Sequence, residues 1–196
     1  MSTVLLTSGG LDSTLMAVLA QESGITIYPL FIDYGQLSRE KELTACRAAF
    51  KKLRLPQPEI VDVSGFGKFF PSGITNSKKH IIEDAFLPGR NFLFLLLGSA
   101  YAYKVNADAV AIGLLNEESS IFPDQTKAFI EKAEDAIAQA LGTRILVLTP
   151  LISFTKADVV SLAKAKGIKG TYSCHGGFDN PCGVCIACKE FPPKEV

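Results

Sequence analysis

Short apolar segments alternate with segments of helical periodicity along this chain of 196 residues, and this alternation limits its possible folds more than any other feature. Strands are predicted at residues 3–7, 25–32, 59–63, 109–114 and 144–148. Helices are predicted to begin after residue 10 and to span residues 39–53, 91–105, 124–141 and 156–166. Such alternation is typical of parallel strands joined by right-handed helical crossovers. The sequence therefore predicts an α/β fold: a doubly wound, five-stranded parallel sheet of Rossmann-like type in a single domain over residues 1–196.

One segment, residues 64–88, does not fit this alternation. It contains Gly, Ser, Pro and Lys residues and has only weak periodicity. We expect a mobile loop there.

The charge balance and the lengths of the apolar runs exclude some partners. Twenty Lys and Arg residues against 20 Asp and Glu residues give no net charge, so no nucleic-acid partner is expected. The longest apolar run, at residues 92–103, is shorter than the about twenty residues that a membrane-spanning helix needs. The N-terminus lacks the basic and cleavage regions of a secretion signal. We expect a cytoplasmic protein with no membrane partner.

A glycine turn follows the first predicted strand and opens the first predicted helix. Its residues are Ser8, Gly9, Gly10, Leu11, Asp12 and Ser13. Free backbone N–H groups and the positive end of a helix converge at such a turn, which favours phosphate binding. The turn has neither the lysine of a Walker loop nor the three glycines of a dinucleotide-binding loop. The alternative is a tight turn in which Asp12 and Ser13 cap the helix.

Other polar residues are predicted to lie at the same edge of the sheet. Asp33 and Tyr34 end the second strand, where doubly wound folds bind nucleosides, and Lys156 opens the last helix. The alternatives are a turn-forming role for Asp33 and a solvated helix position for Lys156.

Four of the five cysteines lie close together near the C-terminus: Cys174, Cys182, Cys185 and Cys188. Clustered thiols in a reducing compartment are more typical of a metal site than of disulfides. Four thiolates complete a tetrahedral zinc shell, so a structural zinc is predicted within residues 170–190. An iron–sulfur cluster, or His175 in place of one thiol, remains open as an alternative. Cys46 is predicted to be a core residue.

The loop sequence SGGxDS resembles the pyrophosphatase loop of PP-loop ATP enzymes, which release pyrophosphate and adenylate an oxygen of the substrate. Further motifs resemble the 7-cyano-7-deazaguanine synthase (QueC) family in order along nearly the whole chain. They are DYGQ at residues 33–36, LPGRN at 87–91, FPD at 122–124 and TYSC at 171–174. The resemblance implies a PP-loop ATP-binding domain of HUP type, the adenine nucleotide alpha hydrolase fold.

The activity implied by this resemblance is the conversion of 7-carboxy-7-deazaguanine, ammonia and ATP to the 7-cyano base through adenylate and amide intermediates. The resemblance also implies small-molecule partners, Mg²⁺ beside ATP and Zn²⁺ at the cysteines. A homodimer is a further expectation.

The resemblance assigns roles to residues by position. The catalytic residues would be Asp12, Arg90 and Lys156. Residues 8–13, together with Asp33 and Tyr34, would bind the nucleotide. Substrate binding falls to Arg90, Asn91, Glu117, Phe122 and Asp124. In this scheme Arg90 clamps a carboxylate or phosphate, Glu117 or Glu118 accepts hydrogen bonds from the guanine-type edge, and Phe122 stacks on the ring.

The chain departs from the family pattern at several positions. Leu37 and Ser38 stand where the family commonly has Arg and His, Gln125 stands where it commonly has Cys, and residues 116–120 also differ. These departures motivate one alternative, an adenylating enzyme that stops at the amide or uses another acceptor. Two further alternatives are a non-catalytic nucleotide-binding or zinc-stapled interaction module and a tRNA-thiolating relative. The last usually carries an RNA-binding domain and a basic surface, which this sequence does not display.

Overall fold

The computed structural model describes residues 1–116, 118 and 121–190. It contains one five-stranded parallel sheet in the order β3-β2-β1-β4-β5. The strands are β1 (Ser2–Thr7), β2 (Thr26–Asp33), β3 (Glu59–Asp62), β4 (Ala109–Ala111) and β5 (Leu146–Leu148). The helices are α1 (Leu11–Glu22), α2 (Arg39–Lys52), α3 (Gly65–Phe69), α4 (Arg90–Val105), α5 (Lys127–Leu141), α6 (Lys156–Ala165) and α7 (Ile186–Glu190). The predicted doubly wound sheet is confirmed.

The central strand β1 contributes to a hydrophobic core on each face of the sheet. Val4 and Leu6 pack with α4 and α5 on one face, and Leu5 packs with α1, α2 and α6 on the other. This alternation follows from the two-residue period of a strand. The strand order reverses at β1, because β2 lies on one side of it and β4 on the other. Ligands in such sheets bind at the carboxyl ends of the strands beside this reversal.

Gly98 explains how the strongly apolar helix α4 lies so close to the sheet. A Cβ atom at this position would lie 2.5 Å from Cγ2 of Val110 in β4 and 3.1 Å from Cδ2 of Leu6 in β1. A side chain there would push α4 away from the strands, and with it Arg90 at the start of the helix.

Residues 64–88 contain one short helix and make more contacts with the core than the sequence predicted. They contain α3, and Ile74 and Leu87 are buried in the core. The backbone N–H of Leu37 donates to the carbonyl of Ile74 at 2.9 Å, and that of Gly67 donates to the carbonyl of Tyr34 at 3.0 Å. The segment is therefore a loop with one short helix, anchored by isolated apolar residues without periodicity, and its mobility stays a prediction.

The predicted boundaries differ most at the end of β4 and the start of α5. Strand β4 ends at Ala111 and not at residue 114, because its pairing with β1 and β5 stops there. Helix α5 begins at Lys127 and not at residue 124. Thr126 caps it by accepting a hydrogen bond from the Phe129 N–H at 3.2 Å, and Pro123–Gln125 form a separate 3₁₀ turn.

The membrane prediction was tested over the described ranges. No helix there combines the length and the apolar character that crossing a membrane requires.

Candidate active site

The glycine turn connects β1 to α1 as predicted and packs against α2. Gly9 has a φ of +79°, and a Cβ atom on it would lie 2.3 Å from the backbone oxygen of Glu42. Only glycine fits there. Within the described part of the chain, no side chain caps α1, whose N-cap is Gly10. The first-turn N–H groups of α1 therefore lack the usual capping partner and suit an anionic ligand.

Asp12 forms a close pair with a residue 144 positions later in the chain. The ammonium of Lys156 donates to both carboxylate oxygens of Asp12, at 2.9 and 2.8 Å. Lys156 also lies 3.3 Å from the Glu190 carboxylate. Its side chain is 16% exposed and that of Asp12 is 27% exposed, so both groups are partly shielded from water. The pair places one positive and one negative charge beside the glycine turn.

A cavity of about 290 Å³ opens beside the turn, at the carboxyl ends of β1, β2 and β4. Six of the predicted site residues line it: Ser8, Asp12, Ser13, Tyr34, Arg90 and Asn91. A smaller cavity of about 160 Å³ adjoins it and is lined by the turn, Glu42, Lys156 and His175 among others. The strand-order reversal thus brings three sequence-distant motifs together.

Arg90, at the start of α4, lies beside two aromatic rings that pack against each other. Its guanidinium carbon lies 5.8 Å from the ring centroid of Tyr34 and 5.9 Å from that of Phe94. Such contacts stabilise a cation and hold its plane in position. Burial raises the pKa of Tyr34 to about 12, and the nearby Arg90 partly opposes that rise. Tyr34 is therefore a neutral hydroxyl at physiological pH.

Asn91 and Asp124 contact each other and position the start of α4. The Asn91 side-chain amide donates to the Asp124 backbone carbonyl at 2.9 Å, and the Asn91 N–H donates to the Asp124 carboxylate at 3.3 Å. Asp33 accepts hydrogen bonds from the Gly35 N–H at 3.0 Å and from the Arg39 guanidinium at 2.9 Å. Neither carboxylate lies among the residues that line the large cavity. Direct ligand contact by Asp33 or Asp124 stays a prediction.

The residues predicted to contact a base are only partly gathered at the cavity. Phe122 packs against Phe86, with centroids 5.1 Å apart, and lines an adjoining cavity of about 170 Å³ that shares Arg90 and His175. Glu118 is exposed, and Glu117 lies outside the described residues. A base-binding role for Phe122, Glu117 or Glu118 therefore stays a prediction.

Sequence reasoning missed Glu42, which is buried on α2 and lines the large cavity. Its carboxylate accepts hydrogen bonds from the Ser38 hydroxyl at 2.7 Å and from the Gln36 side-chain amide at 3.2 Å. Burial raises the pKa of Glu42, and the two hydrogen bonds oppose that rise. A signal was present: Glu42 shares the apolar face of its helix with Cys46, four residues later.

His175 also lines the large cavity and both smaller ones. Its Nδ1 atom is buried and makes no hydrogen bond within the described residues. Burial, aided by the nearby charges of Arg90 and Lys156, lowers its pKa to about 4. The imidazole is therefore neutral at physiological pH.

The four C-terminal cysteines meet at one point, and their sulfur atoms all lie within 4.8 Å of one another. The sulfurs of Cys182 and Cys188 are 3.8 Å apart. Four sulfurs at a Zn–S distance of about 2.3 Å lie about 3.8 Å apart in a tetrahedron, so the arrangement suits one metal ion. In the part of the chain that the structure covers, this group holds the four cysteines and not His175.

The cysteine cluster is attached to the glycine turn through the preceding residues. The Tyr172 N–H donates to the carbonyl of Gly9 at 2.9 Å. Ordering the cluster therefore also fixes one side of the cavity.

Comparison with solved structures identifies proteins of similar fold. A 4-thiouridine synthetase, solved as an RNA complex with bound ATP, matches with a TM-score of 0.56 at 21% identity, over 86% of this chain and 41% of that one. The U34-tRNA thiolase NcsA from Methanococcus maripaludis, solved with its [4Fe-4S] cluster, matches with a TM-score of 0.52 at 14% identity, over 86% of this chain and 58% of that one. These similarities concern the fold alone. The chain has a PP-loop-type α/β fold with a C-terminal four-cysteine cluster.

The family follows from sequence comparison. The model for "Queuosine biosynthesis protein QueC" matches residues 2–191. The 7-cyano-7-deazaguanine synthase of a Sulfurovum species is 34% identical over 95% of this chain and 89% of its own length. That of a Nitratiruptor species is 35% identical over 96% and 91%, respectively. The chain belongs to the QueC family.

This result confirms the predicted family, and the predicted main activity agrees with the names of these relatives. No finding favours another acceptor or a non-catalytic module.

Proposed function

We propose that this chain converts 7-carboxy-7-deazaguanine, ammonia and ATP to 7-cyano-7-deazaguanine through adenylate and amide intermediates. One observation carries the proposal: the glycine turn, the Asp12–Lys156 pair and Arg90 surround connected cavities at the strand-order reversal. Membership of the QueC family supports the choice of substrate. The proposal also includes a cytoplasmic location and no nucleic-acid partner, and a homodimer stays a prediction.

ATP would bind with its phosphates at the glycine turn. The turn residues and the uncapped start of α1 supply donors, and Ser8 and Ser13 add hydroxyl groups. Lys156 would offset phosphate charge during pyrophosphate release. The carboxylate of Asp12 is the hard oxygen donor that Mg²⁺ prefers, and the ion would supply further charge neutralisation.

The chemistry requires two activations of the same carbon. First, a carboxylate oxygen attacks the α-phosphorus of ATP, pyrophosphate leaves, and ammonia displaces AMP to form the amide. Next, the amide oxygen attacks the α-phosphorus of a second ATP and a second pyrophosphate leaves. Breaking the bond from the carbon to the AMP oxygen and losing both nitrogen-bound protons then gives the nitrile. The protein must therefore hold an oxygen of the substrate against the nucleotide twice.

Arg90 is the residue best placed to hold the substrate carboxylate. Its rigid guanidinium can bind two oxygens through parallel hydrogen bonds, and the rings of Tyr34 and Phe94 fix its orientation. The site would be less suited to the uncharged amide, which offers one oxygen acceptor.

We expect Arg90→Gln to raise the KM for the deazaguanine carboxylate by roughly 10- to 100-fold, since a hydrogen bond to a charged group contributes about 1.5–3 kcal/mol. Steady-state pyrophosphate release measures this change. Arg47→Gln, at an exposed position of α2, is the control and should match the wild type. An unchanged KM in Arg90→Gln would contradict the carboxylate clamp.

For the base edge, we expect Glu117→Gln to weaken deazaguanine binding roughly 10- to 100-fold with little change in ATP binding. A carboxylate accepts from both the N1–H and the exocyclic amine, whereas an amide places a donor against a donor. Calorimetry with each ligand separates the two affinities. Glu118→Gln tests the alternative acceptor in the same way, and Glu131→Gln, at an exposed position of α5, is the control. If Glu117→Gln and Glu118→Gln both bind the deazaguanine as the wild type does, the assignment is wrong.

Zinc is the proposed metal at the four cysteines. The close sulfur atoms support a single tetrahedral ion over a larger iron–sulfur cluster, and four thiolates leave no open position for a substrate. The metal would hold residues 172–188 together and would take no part in the reaction.

A single assay tests the proposed reaction. The protein is incubated with ATP, 7-carboxy-7-deazaguanine and ammonium, and the products are identified by mass spectrometry. Nitrile together with AMP and pyrophosphate is expected. Accumulation of amide alone would favour an enzyme that stops at the first step, and consumption of neither substrate would refute the proposal.

A further inference from the structure

Glu42 is a buried carboxyl group that the functions assigned so far do not use. It is 9% exposed and borders both the large cavity and the small cavity beside Lys156. Both groups that donate hydrogen bonds to it, the Ser38 hydroxyl and the Gln36 amide, are neutral. Among the described residues, no cationic side chain forms an ion pair with it.

A buried carboxylate is costly unless a cation offsets its charge. Lys156 is engaged with Asp12 and Glu190, and Arg90 affects Glu42 only through its field. Two hydrogen bonds leave further lone pairs on the Glu42 carboxylate free to accept. The position therefore suits a small cation that donates hydrogen bonds and enters from the cavity.

We propose that Glu42 binds the ammonium ion that serves as the nitrogen source and accepts a proton as nitrogen is transferred. This inference rests on the proposed function. Ammonia is mostly protonated to ammonium at neutral pH. Because ammonium has no lone pair for attack, an acceptor must first remove one proton. The nitrogen then bonds to the adenylated carbon, the bond from that carbon to the AMP oxygen breaks, and AMP leaves with the electron pair. Glu42 holds one proton, and the second excess proton on nitrogen passes to solvent.

The position of Glu42 agrees with this route. Ser8, Asp12, Ser13 and His175 border both cavities together with Glu42. Glu42 therefore borders both the cavity beside the phosphate turn and the cavity that contains Arg90, where the adenylate would form. The hydroxyl oxygens of Ser8 and Ser13 are further acceptors for an ion with four donors.

Magnesium fits this position less well. Mg²⁺ needs near-octahedral oxygen ligands and is usually held by carboxylates together with substrate phosphates. Asp12 is in the turn itself, whereas Glu42 reaches the cavity from α2 with part of its carboxylate occupied by donors. A magnesium role for Glu42 is one outcome that the test can detect.

The test compares three reactions in Glu42→Gln. ATP–pyrophosphate exchange with the deazaguanine carboxylate, in the absence of ammonium, should change less than about threefold, because adenylation needs no nitrogen. Ammonium-dependent amide formation should fall at least roughly 100-fold, the usual range for loss of a general base. Hydroxylamine is mostly neutral at pH 7 and needs no prior deprotonation, so hydroxamate formation should fall much less.

Controls keep the outcomes distinct. Glu131→Gln, on the exposed side of α5, should leave all three reactions unchanged. Glu42→Asp keeps the carboxylate and should recover part of the ammonium-dependent rate, so the test remains valid if Glu42→Gln folds poorly. Circular dichroism melting checks the fold of each variant.

Three results would overturn the inference. Equal loss of all three reactions in a folded Glu42→Gln would indicate a role in nucleotide binding or structure. A raised Mg²⁺ requirement for exchange would make Glu42 a magnesium ligand. Absence of exchange and of product in the wild type would overturn the proposed function itself, and the inference with it.

Discussion

Replacement of Asp12 by alanine is expected to abolish ATP turnover and to leave the fold intact. The carboxylate lies in the first turn of α1, partly exposed, and is bound through both oxygens by Lys156. Removal of this carboxylate would misplace the side-chain ammonium of Lys156 beside the phosphates and would also remove the proposed Mg²⁺ ligand. A loss of at least about 1,000-fold corresponds to about 4 kcal/mol of transition-state stabilisation. Pyrophosphate release in the presence of all substrates measures it.

Two variants sharpen this experiment. Asp12→Asn keeps the shape of the side chain and removes its charge. A loss of turnover similar to that of Asp12→Ala would show that the charge is responsible. Asp135→Ala, at an exposed position of α5, is the control for removal of a carboxylate from a helix. Unchanged turnover in Asp12→Ala would remove the phosphate-binding interpretation of the turn.

The sheet was predictable from the sequence because most of its strands are short apolar runs followed by turn residues. Strands β1 and β2 are buried on both faces, which gives continuous runs such as that ending at Asp33. The end of β4 was less predictable, since Ile112, Gly113 and Leu114 continue the apolar run but leave the sheet and line the cavity. Burial against a cavity and burial in a sheet select the same residue types.

The site shows the same division between local and long-range information. The glycine turn and the cysteine cluster depend on residues close in sequence, so their spacing identified them. The Asp12–Lys156 contact joins residues 144 positions apart, and no local pattern specifies it. Glu42 was missed because a charged residue in a helix is usually solvated, although its position four residues before Cys46 on the apolar face of α2 was a signal in the sequence.

Cys185→Ser is expected to release the metal and to lower the free energy of unfolding by several kcal/mol. Cys185 is fully buried, and the Cys188 N–H donates to its sulfur at 3.4 Å. Serine is a poor zinc ligand at neutral pH, and the binding energy of a structural metal is part of the folding energy of its segment. Elemental analysis should find one zinc per chain in the wild type and much less in the variant.

The control for this experiment is Cys46→Ala, because Cys46 is equally buried but lies outside the cluster, beside the Thr7 hydroxyl. The Cys46→Ala variant should keep its metal even if the core is destabilised. Chelation of the wild type should disorder residues 172–188 before the sheet unfolds and should weaken ATP binding, since Tyr172 contacts the turn at Gly9. Hydrogen exchange resolves the two regions. Iron with visible absorbance in the purified protein, or simultaneous exchange of the sheet and the cysteine segment, would show that the cluster is not a local zinc site.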